Sequence, residues 1–477
     1  MAGGITSVLA QAKSALSANQ VAMATTAKNV SNVNTDGYSR QRVELVTGTP
    51  ESIGNAQVGG GVEVGSVSRS TNDFVHRRLV DEKSTLGKFE GLTEVYSQLE
   101  MVFKDDGEGS VTQSVSQFFN NLRTLSTQPD SNPLRTAVKE SAKSVTHRFN
   151  TMSSAIDGVV GDIDARIEGS VAEINRLTDK IARLNSQIIA YEIKGHGTVA
   201  NDERDQRDSA VLELSKHVNV KVTDLENGGI NVAAGPLGPL VMSNDRQELG
   251  AFRSPDGPNT NAVRIFMLSP HNSSPAKDVT EKFESGQVGG LVNLRDQIVP
   301  QFRDKVDNLA YNLASSVNNV HQNAYTKNGS QGVNFFTKPM GLEGAAASLS
   351  LSNEVDSDVG NIATGETPNA PGDNRALLAI TDLETAKIFD GGQHSFSDMA
   401  TSIVGSLGVQ VKTANDSLET QRGVVDQLDT LAKAASSVSL DEEAMNMLKF
   451  QKAFDANAKM IQVADQMMDT VINLKRF

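Results

Sequence analysis

The stretch Asn29-Val-Ser-Asn-Val-Asn-Thr-Asp-Gly-Tyr-Ser-Arg-Gln-Arg42 closes a helical run that begins near Ile5. Counting back from Val33, the residues Ile5, Leu9, Ala12, Leu16, Asn19, Met23, Thr26, Val30 and Val33 alternate steps of four and three, the spacing of a heptad seam. Between Ile5 and Val33 only Lys13 and Lys28 carry charge, and the other faces are Ala, Ser, Thr, Gln and Asn. A solvated helix face normally carries Lys and Glu. This composition suits a helix surrounded by other helices, with an ordinary amphipathic helix on a globular core as the alternative.

The far end of the chain has the same character. Leu440, Met447, Phe454, Ile461 and Met468 recur at seven-residue steps, filled in by Phe450, Ala458, Ala464, Val471 and Ile472. Ser439-Leu-Asp-Glu442 has the spacing of a capping box, and Lys475 and Arg476 suit the negative end of a helix dipole. Two terminal heptad helices that pair with each other are therefore expected, with the rest of the chain as one large insertion.

The runs Ser14-Ala-Leu-Ser-Ala-Asn-Gln20 and Lys28-Asn-Val-Ser-Asn-Val-Asn-Thr-Asp-Gly-Tyr38 resemble the N-terminal motif of bacterial flagellar rod, hook and hook-associated proteins. The continuation Gly37-Tyr-Ser-Arg-Gln41 is similar to the version carried by the hook-associated protein 1 family, as are Ala200-Asn-Asp-Glu-Arg-Asp-Gln-Arg-Asp208 and Gly289-Gly-Leu-Val-Asn-Leu-Arg-Asp296 with Pro300 and His321. The motif residues carried over are Asn29, Asn32, Asn34, Thr35, Gly37, Tyr38, Ser39, Arg40 and Gln41. The resemblance covers about three quarters of the chain. It fades over residues 217–283 and 327–397.

With 477 residues, the chain exceeds the size at which one core keeps growing, so several domains are expected. The net charge of -14 argues against nucleic acid and anionic membrane as partners. Hydrophobic content of 38% with 21% charged residues is ordinary for a folded soluble protein, and 5% aromatics without Trp favours packing through small aliphatic side chains over a deep aromatic pocket. The absence of Cys excludes disulfides, zinc-thiolate sites and cysteine nucleophiles. No run of eighteen apolar residues exists, and Met1-Ala-Gly-Gly-Ile-Thr-Ser7 lacks the pattern of a cleaved signal peptide. That alone reads as cytoplasmic. The resemblance implies instead an uncleaved protein exported through the flagellar type III channel and assembled outside the cell.

Past the motif, Arg42–Val46 and Val58–Val67 read as a small hairpin, whose glycines serve bends and bulges. Helical patterns follow: Phe74, Val75, Leu79 and Leu86; then Val115, Phe118, Phe119 and Leu122; then a break at Asn132-Pro133, with Pro133 at a helix start, and later a second heptad seam from Ile163 to Tyr191, ended by Gly195-His-Gly. At Val218 the period becomes alternating, and residues 217–283 read as a small β domain. Helix returns from Gly289 to Asn323 with Val292, Ile298, Phe302, Val306, Leu309, Leu313, Val317 and Val320 on one face. Residues 327–397 read as β-rich or irregular, and helix resumes from Phe396 toward the terminal coil. The expected fold is multidomain and mainly α: paired N- and C-terminal heptad helices forming a coiled coil (1–38 with 437–477), an elongated helical bundle (39–216 with 284–326 and 398–436), and inserted small β-rich outer domains (217–283 and 327–397).

No catalytic constellation emerges. The histidines, His76, His147, His196, His217, His271, His321 and His394, are scattered, with His321 expected as a packing or capping residue. Asp202, Glu203, Asp205 and Asp208 interleave with Arg204 and Arg207, a solvated ion-pair network at a helix start rather than a metal site. Glu354–Asp358 lacks the central glycine of a calcium loop. Asn272 and Asn328 sit in chance glycosylation sequons. No cofactor, metal or catalytic residue is expected.

The candidate interaction residues are the terminal seams: Ile5, Leu9, Leu16, Met23 and Val30 on one helix, Met447, Phe454, Ile461, Met468 and Val471 on the other. Met445, Met447, Met460, Met467 and Met468 make the C-terminal helix adaptable, with core filling as the alternative for any single one. Helices so exposed should order fully only against neighbouring subunits. The resemblance implies a homo-oligomeric ring at the hook–filament junction, with hook protein below, a second junction protein (hook-associated protein 3) above, an export chaperone and export gate in the cytoplasm, and no nucleic acid or membrane insertion. Another hook or rod subunit is the nearest alternative, and a wall hydrolase on an axial scaffold a distant one.

Overall fold

The computed structural model describes residues 2–53, 56–104, 110–194, 198–254, 262–268, 276–389 and 391–474. Helix α1 (Ala2–Ser31) leads through the motif loop into a hairpin in which β1 (Gln41–Thr47) pairs antiparallel with β4 (Val62–Arg69), capped by the short pair β2 (Glu51–Ile53) and β3 (Ala56–Val58). Four helices follow: α2 (Asp73–Phe103), α3 (Val111–Thr127), α4 (Asn132–Lys194) and α5 (Asn201–His217). The 63 residues of α4 reach about 95 Å at 1.5 Å per residue, which makes it the spine of the molecule. Pro133 sits in its first turn, where the missing N–H costs nothing. The expected stop at Gly195-His-Gly lies outside the described residues.

The alternating region forms two antiparallel sheets, as its period of two requires. One is ordered β5 (Lys221–Asp224), β6 (Ile230–Ala234), β7 (Gly238–Met242), β8 (Asp245–Arg246). The other has β10 (Val263–Leu268) between β9 (Glu248–Arg253) and β11 (Lys277–Asp278). The chain returns through α6 (Gly286–Asn293) and α7 (Val299–Gln322), joined by a π-helical turn over Leu294–Ile298 that the continuous helical pattern did not reveal.

Two glycines explain how tightly these helices cross. A Cβ on Gly87 would stand 2.1 Å from the Lys216 carbonyl oxygen, and one on Gly290 3.0 Å from that of Lys88. Side chains are excluded where α2 meets α5 and α6.

Residues 327–397 correct the β-rich expectation. They hold α8 (Ala345–Ser348), α9 (Asn353–Ser357), α10 (Arg375–Asp382) and isolated bridges, with no named strand among the described residues. The segment is laid onto the bundle, where Phe335, Phe336, Leu349, Val355 and Ile362 enter the common core. Its backbone groups are satisfied by side chains of the helices beneath. Asp307 accepts from the Gly344 and Ala346 N–H groups, and Asn150 donates to the Ala346, Ala347 and Leu349 carbonyls. Fully buried Arg135 donates to Pro129, Val359 and Ile362 carbonyls. An extended segment satisfied this way needs no strand partner.

One device recurs. Asn175, Asn185 and Asn318, all on helices, each hydrogen-bond both the N–H and the C=O of a single residue on a neighbouring segment: Leu249, Ile230 and Phe336 respectively. A carboxamide presents one donor edge and one acceptor edge, so it stands in for an adjacent strand and docks irregular or sheet backbone onto a helix.

The last two helices are α11 (Phe396–Ser436), begun by a Ser395–Asp398 capping box, and α12 (Leu440–Leu474). Helix α11 packs along α2 through Leu79, Leu86, Leu418 and Val425. Helices α1 and α12 pair antiparallel, the start of α1 lying by the end of α12 and Asn29 meeting Glu443 at the opposite end.

Candidate functional site

The terminal pair is only partly closed upon itself. On α1 the buried positions are Ser7, Ala12, Ala18, Asn19, Ala22, Thr25, Thr26 and Asn29. The expected seam residues Ile5, Leu9, Leu16, Met23 and Val30 are half-buried. Ala12, Asn19 and Thr26 of the expected seam are buried, and a second side of α1 is covered by the hairpin, where Gln11 donates to the Gly59 carbonyl. On α12, Met447, Phe454, Ile461, Met468 and Val471 are half-buried, around a buried Ala464. Leu440 and Ile472, counted into that seam, are exposed, as are Met445, Leu448, Met460, Val463 and Met467. At about 100° per residue those last five fall within an arc of roughly 120°, whose Met460 edge borders Val471 of the half-buried seam. Lys449, Lys452 and Lys459 share that face and divide it, leaving Met460, Val463 and Met467 beside Ile5 and Val8 around an apolar groove of about 730 Å³.

At the other end of the pair the motif loop becomes a joint between coil and bundle. Asn29, 1% exposed, applies the helix-borne asparagine device to Gln41: its Oδ1 accepts the Gln41 N–H at 2.9 Å and its Nδ2 donates to the Gln41 carbonyl at 2.9 Å. The same Oδ1 accepts from the Tyr38 hydroxyl at 2.8 Å, and Nδ2 also donates to Glu443 Oε2 at 3.2 Å. All four hydrogen bonds available to a carboxamide are made. Burial, and then the charges of Asp202, Asp205 and Glu443, hold the Tyr38 phenol well above its ordinary value, so it remains a donor.

Glu443 is the residue that brings α12 into the joint. Its side chain is 2% exposed, and Arg40 Nε donates to Oε1 at 2.7 Å. Arg40 also grips Glu442 at 3.0 Å, so the carboxylate assigned by sequence to a capping box with Ser439 is engaged across the joint instead. The Arg40 N–H donates to the Ser436 carbonyl, and the Ser70 hydroxyl to that of Ala435, fixing the end of α11 to the hairpin.

From below, α5 supplies the acids. Asp205 accepts the Ser39 N–H at 2.9 Å and Arg69 Nη1 at 2.8 Å, and Arg69 reaches Asp208 at 2.9 Å. Burial pushes the Asp205 carboxyl up, opposed by Ser39 and Arg69. Asp202 receives Lys28 Nζ at 2.8 Å and Gln41 Nε2 at 3.0 Å. The expected solvated network within this stretch is thus corrected: Asp205 and Arg207 are buried, Arg204 pairs with Glu192 of α4, and Arg207 donates to the Gly228 carbonyl. Proximity in sequence overstated pairing along the helix, since the fold offered fixed partners across it.

The remaining motif residues shape the loop. Gly37 adopts φ of +76°, a conformation open to glycine at no steric cost. Asn32 donates to the Lys28 carbonyl and accepts from Thr35, closing the helix end. Asn34 is exposed. Glu443, Asp202, Asp205 and Arg69 were not singled out as joint residues in the sequence. The one available signal was an acid in the first turn of α12, which also suits any helix start. Lys475 and Arg476 lie outside the described residues.

Among the described residues, no group of three or more His, Asp or Glu side chains is arranged to hold a metal ion, and no helix is long and apolar enough to cross a membrane. His321 is fully buried, with Nδ1 2.5 Å from the Val333 carbonyl and Nε2 accepting the Ala363 N–H at 2.8 Å, a packing role.

Three family models match parts of the chain. The family model described as the helical domain of flagellar hook-associated protein FlgK matches residues 96–336. A model of flagellar basal body rod proteins matches residues 9–38, and one for the C-terminal region of the FlgEFG rod proteins matches 434–474; both reach into the Asn29–Glu443 joint. Flagellar hook-associated protein 1 of Bacillus subtilis is 30% identical over 98% of this chain and 97% of its own length. That of Escherichia coli is 26% identical over 99% of this chain and all of its own. The solved structure of the flagellar hook junction protein FlgK from Burkholderia pseudomallei shares the fold, with a TM-score of 0.67 and 14% identity over 76% of this chain and all of that one. The chain belongs to the flagellar hook-associated protein 1 family.

Proposed function

We propose that this chain is a structural, non-catalytic axial subunit of the bacterial flagellum that forms the junction ring between hook and filament. The observation that carries the reading is the surplus apolar surface of the terminal coil. Met460, Val463 and Met467 stand exposed on α12, and Ile5, Leu9, Leu16, Met23 and Val30 of α1 are only half-buried. A pair whose burial were complete within one chain would not leave it. Neighbouring subunits covering that surface couple ordering of the coil to assembly, and methionine adapts to neighbours of more than one kind. In this reading the coil (1–38 with 437–477) lies innermost. The bundle (39–216 with 284–326 and 398–436) surrounds it, and residues 217–283 and 327–397 lie toward the outside.

The partners in this reading are further copies in a ring, hook protein below and a second junction protein above. The chain leaves the cell uncleaved through the flagellar export channel, served by an export chaperone. The names of the relatives support the hook association. The Asn29–Glu443 joint supports a mechanical role, since it fixes the direction in which the coil leaves the bundle.

The test is co-sedimentation of purified chain with sheared hook fragments, followed by electron microscopy of hook ends, with Val463→Asp/Met467→Asp beside the parent. The parent should pellet and decorate one end, and the double variant should stay in solution. Unaided growth into long tubes would identify a hook-like or rod-like subunit instead, and binding unaffected by the double variant would remove the coil from the interface.

A further inference from the structure

The thirteen methionines are unevenly placed. Met445, Met447, Met460, Met467 and Met468 all lie on α12. Met460 is 46% exposed and Met467 54%, and both line the apolar groove with Ile5, Val8 and Val463. A thioether in that position is open to solution oxidants in a free chain, and it sits on the surface the coil would bury against a neighbour. Oxidation turns a flexible apolar group into a polar, chiral one. A sulfoxide oxygen enclosed against an apolar surface without a donor is costly.

We propose that Met460 and Met467 are modification sites at which peroxide-class oxidants disable the unassembled subunit; this rests on the terminal coil being the assembly element. The sulfur lone pair attacks one oxygen of hydrogen peroxide and the O–O bond breaks. The sulfur is oxidised to the sulfoxide, and the other oxygen leaves as water with both hydrogens. An assembled coil would shield both sulfurs, so damage is confined to subunits not yet in place. The exposed Met101, Met242 and Met340 lie outside the coil and serve as internal controls for oxidation without consequence.

The experiment treats the free full-length chain with hydrogen peroxide, maps the oxidised peptides by mass spectrometry, and measures co-sedimentation with sheared hook fragments. Met460→Leu/Met467→Leu, a volume-conserving change, is carried in parallel. The parent should gain an oxygen at both positions and lose co-sedimentation more than tenfold, with recovery after treatment by methionine sulfoxide reductase. The double variant, oxidised at its other exposed methionines, Met101, Met242, Met340 and Met445, should pellet after treatment to the same extent as its own untreated sample. Equal loss in the double variant, or undiminished pelleting of parent chain oxidised at both sites, overturns the proposal. Untreated parent chain that fails to pellet would overturn the coil reading itself, and this inference with it.

Discussion

Replacing Asn29 by Asp exchanges one NH2 group for an anionic oxygen and leaves the shape of the side chain unchanged. The loss falls on the donor edge, which serves the Gln41 carbonyl and Glu443 Oε2 at 2.9 and 3.2 Å. Each buried acceptor left without its donor costs roughly 1–3 kcal/mol. The new carboxylate also faces Glu443 inside a buried joint, where like charges about 4 Å apart repel by up to roughly 4 kcal/mol at an effective dielectric near 20. Uptake of a proton by the introduced carboxylate caps that second contribution, so a local destabilisation on the order of 3–5 kcal/mol is expected. The assay is hydrogen exchange at the Gln41 amide and along the first turn of α12. At about 1.4 kcal/mol per factor of ten, exchange there should quicken at least a hundredfold near neutral pH while the sheets keep parental rates. Acidification should narrow the difference, because the introduced carboxyl group, once protonated, can donate again. Exchange within threefold of the parent at neutral pH would refute the idea that Asn29 holds coil to bundle.

His321 carries a pH dependence of definite sign. Burial lowers its pKa to about 4 from the ordinary 6.5, so its contribution is complete above 6.5 and is lost as the pH falls toward 4, up to roughly 3 kcal/mol. Unfolding followed by denaturant at neutral and acid pH should show this slope in the parent and a flatter one in His321→Asn; parallel slopes would refute it. Gly87→Ala drives a methyl onto the Lys216 carbonyl oxygen and should cost at least about 3 kcal/mol, read as a lower melting temperature or loss of soluble chain. Asn34→Ala, at an exposed motif position, should move stability by less than about 0.5 kcal/mol. A larger effect on hook co-sedimentation than on stability would assign Asn34 to a neighbour.

The heptad step of the terminal helices was legible because periodicity records which side of a helix avoids water. The exact face of α1 was not. The count followed one stripe, of which Ala12, Asn19 and Thr26 are buried, whereas Thr25 is buried on another side, beside Gln41, Val67 and Asn201. A second covered side comes from hairpin and bundle, which the period of one helix does not record. For residues 327–397 the β-rich alternative failed and the irregular one held, for a related reason. Their Gly, Asn, Asp and short apolar runs indicate only that the backbone is not regular helix. The groups that satisfy it, Arg135, Asn150, Asp307 and Asn318, stand up to 227 positions earlier.

By itself the sequence determined the helical termini, the helical character of the middle, the alternating insert and, through the motif from Asn29 to Gln41, the family. These are local properties, set by the period of side-chain polarity and by turn chemistry within a few residues. Tertiary structure alone decided that Asn29 meets Glu443 across more than four hundred residues, that Asp205 is buried beneath Ser39 rather than solvated, and which methionines of α12 remain uncovered. A buried hydrogen bond is specified by where two chain segments converge, and no window along the sequence contains both of its ends.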